Sequence, residues 1–188
     1  MDQKKLEQAA RLIIEAVGED PEREGLLETP RRFAEMVAEQ LAYAAVPNEE
    51  IARAFDKTFS SPESDMVVVK DISLFSHCEH HIALMYNMKA AVGYIPRGRV
   101  IGLSKIARIA DAVSKRLQIQ ERIGADIRDI MERITGAGDV IVLLEGEHSC
   151  MTARGIRKPG TLTRTISASG RFRTCLLYTS DAADDRIS

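Results

Sequence analysis

Apolar residues recur every three or four positions along the first third of the chain, a spacing that predicts amphipathic helices. The predicted helices cover residues 5–17, 29–46 and 48–55. Thr29 is a suitable N-cap because its hydroxyl can accept a hydrogen bond from a free amide of the first turn, and Pro30 suits the first helical position. The sequence therefore predicts a helical N-terminal segment that comprises residues 1–60.

The period of the pattern shortens after residue 60, which is typical of strands. Predicted strands cover residues 66–75, 83–95, 140–144 and 161–169. Between the second and third strands lie two predicted helices, one capped by Ser104 and one that begins at Gln120. This order predicts an α+β domain over residues 61–174, in which an antiparallel four-stranded sheet carries a pair of antiparallel helices on one face.

The outer strands of such a sheet have unpaired backbone groups that need cover. Pairing with neighbouring copies would provide it and predicts a homo-oligomer, while loops that cover the edges of a monomer explain the pattern equally well. The last segment, residues 175–188, has no clear hydrophobic period and is predicted to be a disordered tail. Cys175 lies in that tail, away from any histidine, and no ligand role is assigned to it.

Composition argues against several classes of protein. The net charge of −2 argues against a general nucleic-acid binder, which needs a basic excess to release counterions. No stretch reaches the roughly eighteen consecutive apolar residues that suggest a membrane helix, and no apolar run follows the charged N-terminus as in a signal peptide. Two of the three cysteines lie beside histidines, which favours reduced thiols and predicts a cytoplasmic protein without a membrane partner.

Histidine and cysteine are concentrated in two short clusters. Residues 76–81 read Ser-His-Cys-Glu-His-His and hold three of the four histidines, and residues 148–150 read His-Ser-Cys. Core packing favours aliphatic side chains over imidazole, so the clusters predict two halves of one metal site. Cys78, His81 and Cys150 would supply two thiolates and one imidazole, a set that suits tetrahedral Zn²⁺.

The number of protein ligands separates a catalytic from a structural zinc site. Three ligands leave a position for water, which is the catalytic pattern, whereas a fourth from His77, His80 or His148 would make the zinc a structural staple. If His80 is not a ligand, it lies near the metal and suits proton transfer, although a solvated histidine is the simpler interpretation. Glu79 either orients a ligand or is an ordinary surface carboxylate.

Basic residues near the predicted helix start at Ser104 suggest a phosphate site. Lys105 and Arg108 are three positions apart and lie on one face near a helix N-terminus, which favours an anion. Further cations follow the second cluster closely: Arg154, Arg157 and Lys158. Each of these residues alone is more often a solvated surface charge. Glu121 is explained by the helix dipole, or it accepts hydrogen bonds from the ring N–H and amino group of a heterocycle.

Five motifs, taken together, resemble the GTP cyclohydrolase I family over residues 29–172. They are Cys-Glu-His-His at 78–81, Gly-Tyr-Ile-Pro at 93–96, Val-Ile-Gly-Leu-Ser-Lys at 100–105, Gln-Ile-Gln-Glu-Arg at 118–122 and His-Ser-Cys-Met-Thr-Ala-Arg-Gly at 148–155. The resemblance implies a tunnelling fold and a ring-shaped decamer with active sites at subunit boundaries. It also implies GTP as the substrate, with attack of zinc-activated water on C8, release of formate and formation of 7,8-dihydroneopterin triphosphate.

The resemblance assigns roles to individual residues. It implies that Zn²⁺ is bound by Cys78, His81 and Cys150. His80 matches the principal proton-transfer residue of the family, and His148 is a second candidate. The guanine edge would be bound by Glu121, with Gln120 beside it. The positions that match the triphosphate site, some of which reach across from a neighbouring subunit, are Ser104, Lys105, Arg108 and Arg154.

The chain departs from the family pattern in several places. Glu35 stands where the family often has lysine on the phosphate side, and Leu117 stands where proline usually precedes the glutamine motif. Residues 82–88 are an unusual version of the segment after the zinc motif, and the sequence after residue 174 does not resemble the usual closing helix. Two other functions are retained as alternatives: a non-catalytic oligomer stapled by zinc, and a related tunnelling-fold enzyme acting on another pterin or deazapurine.

Overall fold

The computed structural model describes residues 1–174, so the predicted tail and Cys175 lie outside the described residues. Its helices are α1 (Gln3–Ala16), α2 (Thr29–Gln40), α3 (Asn48–Phe55), α4 (Leu103–Ser114), α5 (Gln120–Thr135) and α6 (Ser149–Thr152). Its strands are β1 (Thr58–Ser60), β2 (Val67–Cys78), β3 (Ala83–Tyr94), β4 (Arg99–Ile101), β5 (Leu117–Gln118), β6 (Val140–His148) and β7 (Thr163–Ala168). Within residues 1–174 no helix has the length and hydropathy needed to cross a bilayer.

The chain forms two compact units, of which the first comprises residues 1–44. In that unit α1 packs against α2. The carboxylate of Asp2 caps α1 by accepting a hydrogen bond from the amide of Lys5. The prediction that Thr29 is the N-cap of α2 is wrong, because Thr29 is the first residue of the helix. Glu28 precedes it and makes no side-chain capping bond.

The second unit begins at Ala45 and contains α3, although the sequence placed α3 in an N-terminal segment that reaches residue 60. Ile51 is almost fully buried in α3, which packs against α4 and α5. Asn48, at the start of α3, donates through its side-chain amide to Asp126 on α5. The third helix is therefore part of the same core as the sheet.

The central sheet has the strand order β5-β2-β3-β6-β7. Its four longer strands are antiparallel to their neighbours, which confirms the predicted sheet. A fifth strand, β5, was not predicted; its two residues pair in parallel with the end of β2, where Leu117 lies opposite His77 and Gln118 opposite Cys78. Two residues are too few to show a period in the sequence. A small separate sheet pairs β1 with β4.

The core lies between the sheet and the helices α4 and α5, both of which contact it. The fully buried side chains of these elements are aliphatic for the most part: Ile106, Ile109 and Val113 from α4, Ile123, Ile127 and Ile130 from α5, and Met88, Val92, Val142 and Leu144 from the sheet. The predicted α+β class, with a pair of helices on the sheet, is thus confirmed. Apolar burial on this scale is the main stabilising term of the fold.

Helix α4 packs against β2. At one end the amide of Ile101 donates to the hydroxyl of Tyr94, which lies opposite Val67 at the start of β2. At the other end the hydroxyl of Ser76 donates to the carbonyl of Ser114, at 2.7 Å. The end of β2 that carries Cys78 is therefore close to the C-terminus of α4 and not to its N-terminus.

Candidate functional site

The first predicted cluster forms the tight connection between β2 and β3. Cys78 is the last residue of β2, and the amide of Glu79 donates to the carbonyl of Gln118 at 3.0 Å. The amide of His81 donates back to the carbonyl of Cys78 at 3.4 Å, which closes the turn. Ile82 then has φ of 50°, a left-handed conformation that a β-branched residue rarely adopts. The turn is thus held in one specific shape.

The three predicted metal ligands meet at this turn. The ligand atoms of Cys78, His81 and Cys150 all lie within 4.8 Å of one another. Cys78 is buried, Cys150 is half-buried in α6 and His81 is exposed. They meet because β3 pairs with both β2 and β6, which places His148 opposite Met85 near the Cys78 end of the sheet.

This donor set fits a zinc ion. Two thiols and one imidazole are typical zinc ligands, and three protein ligands leave a position for water. Burial raises the pKa of the Cys150 thiol, and the neighbouring Cys78 raises it further. Because a metal binds the thiolate, a cation at this position would release protons from a thiol that otherwise retains its proton.

The three histidines proposed as a fourth ligand, His77, His80 and His148, lie outside this cluster. The Nδ1 atom of His80 lies 3.6 Å from the sulfur of Cys78, and its ring is exposed beside that of His81. The half-buried ring of His77 lies edge-on to Phe75, burial lowers its pKa, and its Nδ1 atom is buried without a hydrogen-bond partner within residues 1–174.

His148 is oriented by Gln120. The side-chain amide nitrogen of Gln120 donates to the carbonyls of Leu144 and Thr163, at 3.2 and 2.9 Å, which fixes its oxygen toward His148. That oxygen lies 2.8 Å from Nε2 of His148, so Nε2 must carry the proton and donate. Burial lowers the pKa of His148, opposed by the charge of nearby Glu121. A neutral His148 therefore has its free lone pair on Nδ1.

The first turn of α5 carries the residues predicted to bind a guanine edge. Gln120 is 1% exposed, because its amide joins α5 to the sheet. Glu121 follows it in sequence, and its side chain is exposed. Arg122 comes next and forms a bidentate ion pair with Glu79, at 2.6 and 3.2 Å. Glu79 belongs to the turn at residues 78–82, which we call the metal turn. Hydrogen bonds from Arg122 hold the pKa of the Glu79 carboxyl below its ordinary value.

The predicted phosphate ligands fall into two groups. Arg154 lies at the metal turn, where its guanidinium is 2.6 Å from Nε2 of His81. Ser104, Lys105 and Arg108 lie in the first two turns of α4, which begins at Leu103 after Gly102. Ser104 is therefore not the N-cap that was predicted. The rest of α4 separates Ser104 from Ser114, a distance of about 15 Å at the helical rise of about 1.5 Å per residue.

Sequence reasoning missed two features that support the site. One is the ion pair of Arg122 with Glu79, whose partners are 43 positions apart in sequence. The other is a network around Glu147, whose carboxylate accepts hydrogen bonds from Asn87, the amide of Gly160 and the hydroxyl of Tyr86. That hydroxyl also lies 2.9 Å from the hydroxyl of Thr152 in α6. The unusual segment 82–88 was the only sequence signal for this network.

Comparison with known proteins places the chain in a family. A profile of that family, GTP cyclohydrolase I, matches residues 6–180. A protein named GTP cyclohydrolase 1 from Clostridium botulinum is 56% identical over 180 residues, which cover 93% of this chain and 92% of the relative. One of the same name from Clostridium acetobutylicum is 56% identical over 178 residues, which cover 92% and 91%.

A solved structure of an archaeosine synthase QueF-like protein is a distant neighbour, with 18% identity and a TM-score of 0.45 over 58% of this chain and 96% of that one. The match to the family profile spans nearly all of the described residues, and the curated relatives are matched over nearly their full length. On this evidence the chain belongs to the GTP cyclohydrolase I family.

Proposed function

We propose that this protein opens the imidazole ring of GTP by hydrolysis, releases formate and yields 7,8-dihydroneopterin triphosphate. The observation that carries the proposal is the convergence of Cys78, His81 and Cys150 in a chain of this family. Zn²⁺ bound by these three residues would supply a Lewis acid with an open position for water. The alternative of a purely structural zinc requires a fourth ligand, and the group of metal-ligand atoms that converge within residues 1–174 has three.

The proton-transfer roles fall to His80 and His148. A neutral His148, with Nε2–H bound by Gln120, can accept a proton at Nδ1. His80 is exposed next to the cluster, where it can exchange protons with substrate and solvent. Glu121 is exposed near His148 and can accept two hydrogen bonds from the guanine edge. In this scheme Gln120 orients His148, and the adjacent residue Glu121 binds the guanine base.

We further propose that the active site is shared between subunits of a homo-oligomer, with a decamer as the expected assembly. Arg154 lies at the metal turn, but Ser104, Lys105 and Arg108 lie at the far end of α4. A triphosphate close to Arg154 therefore needs these residues from another copy. Outer edge strands of the sheet offer backbone groups for such contacts, since β7 pairs only with β6 among the described strands.

Turnover of GTP is the direct test. The purified protein, loaded with one equivalent of Zn²⁺, is incubated with GTP; formate is measured, and the product is oxidised to fluorescent neopterin. We expect both products in equal amounts, and none from Cys150→Ser, which lacks one metal ligand. Stoichiometric zinc without turnover of any nucleotide would instead support the structural staple. Turnover of another pterin or a deazapurine, but not GTP, would support the related-enzyme alternative.

A further inference from the structure

The ion pair between Glu79 and Arg122 connects the two halves of the proposed site. Glu79 lies between the metal ligand Cys78 and His80, and Arg122 is the third residue of α5. Both terminal nitrogens of the Arg122 guanidinium donate to the Glu79 carboxylate, with N···O distances of 2.6 and 3.2 Å. Their side chains are 44% and 33% exposed, so the pair lies at the surface of the chain.

Besides this ion pair, the metal turn is attached to the rest of the chain through the amide of Glu79 and through His81, whose Nε2 lies 2.6 Å from the guanidinium of Arg154. Residues 79–82 are exposed, so apolar burial contributes little to their position. The backbone holds Glu79 at one point, through its amide and the carbonyl of Gln118. The carboxylate of Glu79 provides a second attachment, and it leads directly to the turn of α5 that carries Gln120 and Glu121.

We propose that Arg122 is a positioning residue, which fixes the metal turn relative to the guanine-binding end of α5 through its two-pronged contact with Glu79. This inference rests on the proposed function. It assigns Arg122 no contact with GTP or metal. Its effect is on the distance between His80, on the turn, and Glu121, on the helix, both of which must meet one substrate.

The shape of the guanidinium makes the inference specific. Arginine matches a carboxylate with two parallel N–H groups, while lysine offers one compact charge on a flexible stem. Arg122→Lys retains the charge but not the two-pronged contact. If the pair only added surface attraction, lysine would replace arginine. If it fixes orientation, Arg122→Lys and Arg122→Met share the same defect.

Arg133 provides a matched control on the same helix. Its guanidinium pairs with Asp129 and Glu49, and its side chain is 45% exposed, nearly the same as that of Arg122. Asp129 and Glu49 are outside the proposed site. Arg133→Met therefore removes an arginine ion pair of similar exposure from α5 without touching the metal turn.

The experiment measures three quantities on the full chain: the Zn²⁺ dissociation constant by competition with a chromophoric chelator, and kcat and KM for GTP. Residues that orient metal ligands typically change affinity or activity by about 10- to 100-fold, so for Arg122→Met, Arg122→Lys and Glu79→Gln we expect roughly tenfold weaker zinc binding and roughly tenfold lower kcat/KM. The double variant Arg122→Met with Glu79→Gln should be no worse than either single change. Arg133→Met should match the wild type.

The inference is overturned if Arg122→Met and Arg122→Lys bind zinc and turn over GTP as the wild type does. It is also overturned if the effects of Arg122→Met and Glu79→Gln multiply in the double variant, because independent residues behave in that way. The zinc competition experiment separates this inference from the proposed function. If the wild type fails to act on GTP, the proposed function is wrong, while the Zn²⁺ affinities of the variants still test the role of Arg122. A melting temperature equal to that of Arg133→Met shows that a lowered affinity does not come from unfolding.

Discussion

His148 and its amide partner show how one hydrogen bond selects a tautomer. Gln120 uses its nitrogen for backbone carbonyls, so only its oxygen is free to face the imidazole. The ring must donate from Nε2, which leaves Nδ1 as the basic atom. Burial favours the uncharged ring and lowers the pKa. Thus a buried glutamine determines which atom of His148 can take a proton.

His148 should titrate below its ordinary value of 6.5. The unfolded chain binds this proton more readily than the folded one, so protonation of His148 costs stability as pH falls below about 6.5, and the contribution is fully present above it. The measurement is an NMR titration of histidine-labelled protein, in which His148→Asn identifies the resonance. A pKa above 6.5 would contradict the prediction. Bound Zn²⁺ should shift it further down, since a nearby cation disfavours imidazolium.

His80→Ala should separate chemistry from metal binding. The residue lies outside the three-ligand cluster, so zinc content should stay at the wild-type value. Loss of a proton-transfer group should lower kcat by about 100-fold or more. Elemental analysis and formate release measure the two effects on one sample. Full turnover by His80→Ala would remove this residue from the mechanism, and His81→Ala serves as the control that loses metal.

At the scale of elements, side-chain networks hold the segments that meet at the site. Arg116, between α4 and α5, donates to Asn48 on α3, to Asp126 on α5 and to the carbonyl of Val46. The side chains of Arg116 and Asp126 are only 12% and 17% exposed. Gln118 also donates to Asp126, which ties β5 to the same network. These hydrogen bonds therefore attach β5, the short strand beside the metal turn, to the network around Arg116 and Asp126.

Arg116→Met should destabilise the protein strongly. The change leaves the Asp126 carboxylate poorly hydrated with its cation removed, and losing one partner of a buried pair typically costs about 3–5 kcal/mol. Urea denaturation followed by circular dichroism should show a lower midpoint with little change in slope. Arg133→Met, which removes an exposed pair on α5, should leave the midpoint nearly unchanged. Equal midpoints for the two variants would contradict the prediction.

Tyr86→Phe should loosen the segment that carries Cys150. The hydroxyl of Tyr86 joins β3 to Glu147 and to Thr152 in α6, and loss of one such hydrogen bond typically costs about 1 kcal/mol. We expect faster limited proteolysis within residues 149–162. Tyr43→Phe is the control, because Tyr43 lies in the first compact unit, outside this network. Identical cleavage of Tyr86→Phe and wild type would show that the network is dispensable.

The boundary between what sequence could and could not predict follows from distance along the chain. The C-x-x-H spacing identified Cys78 and His81, since neighbours in one turn must meet. Cys150 was added by ligand chemistry, and the register of β3 with β2 and β6 explains why it arrives. The prediction that Ser104 caps α4 is wrong: a hydroxyl suits that role, but the helix begins at Leu103, one residue before Ser104.

Pairings of distant surface residues had no sequence signal. Glu79 and Arg122 each carry an ordinary charge, and only the folded chain shows that the charges face each other. The two residues of β5 were equally invisible, because hydrophobic period needs several residues to show. The fold class followed from element order, whereas these contacts depend on how the elements are set against one another.

At the scale of the whole molecule, the separation between the two ends of α4 predicts that one copy supplies the phosphate contacts of a site and another copy supplies its metal ligands. Lys105→Ala would remove a proposed phosphate contact, and Cys150→Ser would remove a proposed metal ligand. If sites form between subunits, each variant alone is inactive, but co-refolded equimolar mixtures should regain about a quarter of wild-type activity, since a quarter of the interfaces join two intact halves. Activity is measured as formate release.

The control for this mixing experiment is a pair of variants damaged at the same end, Cys150→Ser with His81→Ala. Both substitutions remove a proposed metal ligand, so no chain in the mixture has the complete set of three ligands. Absence of recovery in the first mixture would mean that each chain completes its own site. Recovery in this control would mean that the metal ligands themselves come from two chains. The size of the assembly is measured separately by light scattering.

The short strand β5 has a consequence for the supply of metal. Because it pairs with His77 and Cys78 on one side while β3 pairs with them on the other, the backbone around the first ligand is ordered by the sheet itself. Chelation should therefore abolish turnover while circular dichroism keeps its folded signal, and added Zn²⁺ should restore activity within the time of mixing, unlike a zinc finger that must refold. A cell could accumulate this protein during zinc starvation and switch it on when zinc returns, without new synthesis.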